Sequence, residues 1–184
     1  MTARDLQAAF DAIDAENAGD PNGKELDHAE RAVRWMRTLR PDAPDELLLA
    51  ARAHHVRRWE IPRSAEPDGR AGYLRWKRRL QQHHADVVGR ILAGSGFDVE
   101  RVQALVKKER LKTDPDVQSL EDALALVFLE TQLTELSGKL DDEHMVDVLA
   151  KTLRKMTPEG RTAAASLAYD AHGASLVQRA VAVL

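Results

Sequence analysis

The segment from Pro115 to Leu136 restricts the fold most. It reads PDVQSLEDALALVFLETQLTEL, and from Ala123 to Leu129 apolar side chains occupy every face of a helix. A helix that is apolar all round has no side to turn to water, so other elements must surround it. Aromatic residues make up 4% of the chain while Ala and Leu are abundant, which favours further helices over a sheet as those surroundings. No alternating strand pattern and no internal repeat is present. A chain of 184 residues suffices for one domain with a proper core. The expectation is an all-α, single-domain bundle over residues 1–184, with about seven to nine helices marked by periodicity and caps.

The punctuation of the chain places those helices. Thr2 followed by Asp5 has the spacing of a helix start, and Leu6, Phe10 and Ile13 form one stripe running to about Glu16. Gly19 to Gly23 is a loop, after which helices are expected over 24–39 and from Pro44 to about Arg58. Residues 59–72, WEIPRSAEPDGRAG, lose helical periodicity, and so long an irregular stretch inside a helical domain points to function. Further helices are expected over 73–93, from the Asp98 cap to about Lys108, over 115–136, over 142–156, and over 158–184 with a break near Gly173.

Composition narrows the function. There is no cysteine, so disulfide and thiolate chemistry are excluded. No run of 18 apolar residues exists and the N-terminus is acidic and amphipathic, so a cytoplasmic protein without a membrane partner is expected. The formal net charge of −3 conceals an asymmetry: residues 52–112 hold 15 Lys and Arg against 7 Asp and Glu. A basic middle between acidic flanks suits an anionic ligand, or else two faces that complement each other within the fold. Net acidity disfavours a dedicated nucleic-acid binder.

Four side chains able to hold a metal fall on apolar helix stripes. His28 precedes Ala32 and Trp35; His55 lies between Ala51 and Trp59; His84 lies between Leu80 and Val88; Asp122 shares a stripe with Leu126, Leu129 and Leu133. A carboxylate among apolar neighbours is costly unless it is paired, hydrogen-bonded or metal-bound. Imidazole with carboxylate suits zinc, manganese, iron or nickel. Neighbours on a helix diverge by about 100°, so His54 and His55 cannot both face inward, and His55 is the favoured member. The other reading of each histidine is a hydrogen-bonded core residue, and that of Asp122 a buried salt bridge. Glu130 is either a supporting carboxylate or an exposed helix-end residue. Beside these, Arg58, Trp59, Arg63, Arg70, Tyr73, Arg75 and Trp76 bracket the irregular stretch, with Lys112 further on. Arginine grips phosphate through a planar fork, and aromatic faces can stack on an organic ring.

The segments ELDHAERA, AARAHHVRRW and SLEDALALV, in that order over about residues 24–136, resemble the metal-site elements of the HD hydrolase superfamily, with residues 142–184 as C-terminal helices. His55 stands where that pattern has the Asp of its His-Asp pair. The segments DPNGKEL, HHVRRWEIPRS, RAGYLRWKRRL, KTDPDVQSLEDALALVFLE and LRKMTPEG are similar, almost end to end, to the domain-of-unknown-function family 4202. The HD resemblance implies a metal-dependent hydrolase acting on a phosphorylated or nucleotide-like small molecule, with one or two divalent metals on His28, His55, His84 and Asp122. The departure at His55 favours an alternative: an HD-like protein without catalysis that binds an anionic ligand, RNA or a protein partner. Histidine-rich HD variants imply a third, an iron-dependent oxygenase. The Ala-rich faces of the last helices (Ala163, Ala164, Ala165, Ala180, Ala182) suit either a homodimer or packing within a monomer.

Overall fold

A computed structural model describes residues 4–184. Ten α-helices and no strand occur among them: α1 Leu6–Asn17, α2 Glu25–Leu39, α3 Asp45–Ala53, α4 Arg70–Ile91, α5 Val99–Val106, α6 Pro115–Thr131, α7 Leu133–Ser137, α8 Asp142–Leu153, α9 Pro158–Ala165 and α10 Ala171–Val181. Two single 3-10 turns, Arg58–Glu60 and Arg63–Ala65, punctuate the stretch expected to be irregular. The all-helical class is as expected; the helix number exceeds seven to nine because two long expected helices are each broken. Gln132, at φ −117°, divides α6 from α7. The chain also leaves α9 after Ala165 and re-enters at Asp170, whose carboxylate accepts from the Gly173 amide, so Gly173 sits in a first turn and not at a break.

Helix starts follow from side-chain capping. Asp5, Asp98, Asp114, Asp141, Thr157 and Asp170 each accept a hydrogen bond from an orphan amide of the first turn, which satisfies donors that no helical carbonyl can reach. The cap expected at Thr2 lies outside the described residues.

As its sequence demands, α6 is central. Val117, Leu120, Ala123, Leu124 and Val127 enter an apolar cluster built with α1 to α5. Ala125, Leu126 and Leu129 enter a second cluster with α7 to α10, and Trp35 and Leu39 of α2 pack against both. Ala164 and Ala180 are buried in this second cluster, so part of the Ala-rich surface is spent on packing within the chain. Glu130 accepts from Trp35 Nε1 at 3.0 Å and pairs with Arg31 and Arg34, tying α6 to α2 away from the histidines. No described helix is long and apolar enough to cross a membrane.

Candidate functional site

The site begins where α3 stops short. The helix ends at Ala53, not near Arg58, because Arg57 adopts a left-handed φ of 53° and the chain reverses through Val56 N–H to Ala53 O and Arg58 N–H to His55 O. His54 and His55 therefore lie beyond the helix, and the 100° divergence no longer separates them. Both line a cavity of about 820 Å³, together with His28 and Glu25 of α2 and Glu121 of α6. A cavity of that size suits a small organic ligand.

The imidazoles are stacked. The His28 and His55 ring centroids are 4.0 Å apart at an interplanar angle of 16°, and His54 and His55 are 4.5 Å apart at 26°. His84 stands behind them, 6.1 Å from His55 and 3% exposed. Its Nδ1 is 2.8 Å from the Val56 carbonyl oxygen, which can only accept, so Nδ1 carries the proton and Nε2 the lone pair. By the same reasoning an ionised Glu25, 3.2 Å from His55 Nδ1, holds that ring in its Nδ1–H form. Burial keeps all four rings neutral: it pushes His28 down to about 3 and His84 to about 4, and holds His54 and His55 well below 6.5. The positive charge of Lys108 adds to the effect on His54, and those of Arg58 and Lys108 to the effect on His55. His28 Nε2, His54 Nδ1 and His84 Nε2 are buried without a hydrogen-bond partner. Orphaned atoms of this kind mark a place where a further polar group belongs.

Asp122 does not join them. It is 3% exposed, but its carboxylate accepts from the Thr157 amide at 3.1 Å, the Thr157 hydroxyl at 2.5 Å and Gln118 Nε2 at 3.1 Å. The neighbouring Glu121 faces the cavity instead. The metal set expected from the sequence is thus brought together in its three histidines and separated from its carboxylate. Neutral, unpartnered imidazoles suit a metal chemically, yet rings stacked nearly parallel aim their lone pairs side by side. Among the described residues no group of three or more His, Asp or Glu converges to hold an ion. As arranged, the residues do not fit a metal centre.

The expected substrate-binding residues divide as well. Arg58 and Tyr73 line the cavity. Trp76 supports Arg58, whose guanidinium carbon lies 5.1 Å from the indole centroid, while its own Nε1 donates to the Ile61 carbonyl at 2.9 Å. Arg63 is spent on the loop, donating to the Glu66 and Pro67 carbonyls, and Arg75 pairs with Glu66 at 3.0 Å. Trp59 packs towards Gly19, and Arg70 and Lys112 are exposed away from the cavity lining.

Glu25, His54, Lys108 and Glu121 are among the lining residues outside the expected site set. Lys108 Nζ donates to Glu121 Oε2 at 2.5 Å, and Lys155 approaches the other oxygen at 3.9 Å. Glu121 was discoverable, since it flanks Asp122 in the same SLED segment; the placement of Lys108 depends on a turn that periodicity does not reveal.

No curated protein and no solved structure is detectably similar to the chain. The model of one protein family, described as a domain of unknown function (DUF4202), matches residues 7–177, and the chain belongs to that family.

Proposed function

We propose that the cleft between α2, the turn that follows α3, and α6, on an HD-like scaffold, binds an anionic, phosphorylated small molecule. Arg58 is the observation that supports this most. Seven of the 15 cations of the basic middle are ion-paired within the chain, among them Arg52 with Asp14, Arg57 with Glu16, Arg101 with Asp114 and Asp116, and Arg79 with Glu66. Arg58 is partly buried, propped on Trp76 and facing the cavity; among the described residues no carboxylate makes a direct ion pair with it, and Glu25 of the cavity wall acts on it only through space. A desolvated guanidinium without a counter-ion is costly, and a phosphate oxygen pair matches its fork. Tyr73 lies at the cavity, 46% exposed and 5.8 Å from the Trp76 ring, and offers a face to a base or similar ring.

Calorimetric titration of the purified protein with adenosine monophosphate and with inorganic phosphate tests the reading. Wild type should bind, and Arg58→Lys, which keeps the charge and loses the fork, should bind at least ~10-fold more weakly. Equal affinity of the two proteins would refute the role of Arg58. Elemental analysis of the same preparation decides between binding and catalysis. Stoichiometric zinc, manganese or nickel would assign the unpartnered imidazole nitrogens to a rearranged metal centre and the protein to the HD-type hydrolases, and iron would point to an oxygenase. Metal-free protein that binds the nucleotide supports the binding protein.

A further inference from the structure

The ending of α5 is built like a glycine ending but carries a lysine. Lys107 caps α5 after Val106, Lys108 has a left-handed φ of 56°, the Lys108 amide donates to the Leu105 carbonyl at 2.9 Å and the Glu109 amide donates to the Ala104 carbonyl at 3.0 Å. These two bonds define the helix ending in which the left-handed position normally belongs to glycine, because a Cβ there crowds the following carbonyl. Gln81 of α4 clamps the turn by donating to the Lys107 carbonyl at 3.0 Å. The strain is held at the one residue whose side chain turns into the histidine cleft and ends on Glu121. Retained strain of this sort is commonly tied to function.

We propose that the Lys108 ammonium, paired with Glu121, is the resident cation of the histidine cleft and takes the place a metal ion would occupy. Three observations converge on this. Glu121 is the α6 carboxylate that faces the cleft, and Lys108 has captured it at hydrogen-bond distance. With Glu121 held by the ammonium, the stacked rings of His28, His54 and His55 have no cleft carboxylate on α6 to complete a donor set with them. A second cation placed beside Glu121 and His54 would meet the ammonium as a like charge, in a site that water screens poorly. The ammonium in turn offers an anion a positive charge at the inner end of the cleft, with Arg58 as the other; this part rests on the anion-binding reading above.

The test titrates zinc chloride into metal-free wild type, Lys108→Gly, Lys108→Asn and Lys108→Arg, with uptake read by native mass spectrometry. Glycine and asparagine both tolerate the left-handed backbone, so these variants keep the turn while removing the charge. Wild type and Lys108→Arg should take up no zinc in the cleft. Lys108→Gly and Lys108→Asn should gain a single ion, and His54→Ala added to Lys108→Gly should abolish it. Zinc uptake that is the same in wild type and in the two uncharged variants, whether present or absent, overturns the proposal. In a second arm, phosphate affinity should fall ~10-fold in Lys108→Gly and be kept in Lys108→Arg. If wild type binds no phosphate while zinc uptake still separates the proteins, the anion reading fails and the assignment of Lys108 stands.

Discussion

A buried carboxylate need not be a ligand, and Asp122 shows how one is employed in holding a helix cap. Thr157 caps α9 by accepting from the Gly160 amide at 3.0 Å, and the same hydroxyl donates to Asp122. Asp122 thereby fixes the rotamer of the cap and takes the Thr157 amide as well. The fit is close: a Cβ on Gly160 would come within 2.7 Å of the carboxylate. Asp122→Ala leaves the Thr157 donors without a partner, which should cost about 1–3 kcal/mol, read as a lower urea midpoint. Phosphate binding should survive, since Asp122 does not line the cavity. Loss of binding in a variant still folded at the assay temperature would return Asp122 to the site.

At the scale of elements, the turn from Ile61 to Gly69 and the start of α4 act together to present Arg58. Gly72, in the first turns of α4, lies against Pro67, and a Cβ there would fall 1.9 Å from the Pro67 carbonyl oxygen. Two effects oppose each other in Gly72→Ala. Alanine favours the helix by roughly 1 kcal/mol, whereas overpacking costs about 1–3 kcal/mol. The obstructing atom is backbone and is already held, since Pro67 O accepts from Arg63 at 3.1 Å, so the collision should win. The variant should show a lower urea midpoint than wild type; a higher one would mean the turn yields freely. The elements themselves were legible wherever their signal is local, as with the Asp98 cap, Asp114-Pro115 at the start of α6, and Gly94 with φ 75° after α4. His28, His55 and His84 were legible as polar residues on apolar stripes. His54 was not, because excluding it assumed a helix that in fact ends one residue earlier. Lys108 was not either, because what aims it at Glu121 is a left-handed turn in a residue that periodicity treats as ordinary helix surface.

Over the whole molecule, the fold keeps neutral imidazoles in its interior next to fixed positive charge, and this makes stability depend on pH in a defined window. His28 at about 3 and His84 at about 4 lie below the 6.5 of an unfolded chain, and His54 and His55 shift in the same direction. Below pH 6.5 the unfolded chain binds protons that the folded protein refuses, so stability is complete above 6.5 and declines as pH falls towards 4. His84 alone, over that interval, contributes on the order of 3 kcal/mol. Paired carboxylates act in a lower window. Asp114, held below the ordinary 3.8 by its hydrogen bond from Arg101, gives stability that is present above that value and lost beneath it. Urea denaturation at pH 8, 6.5 and 5 reads the buried histidines against the smaller opposing effect of the raised Glu25 and Asp122 carboxyls, and the expected result is little change between the first two and a net loss at pH 5. A flat profile down to pH 5 would mean that the rings are hydrated or already charged in the folded protein, and the cleft would then present imidazolium to an anion in place of Lys108 and Arg58 alone.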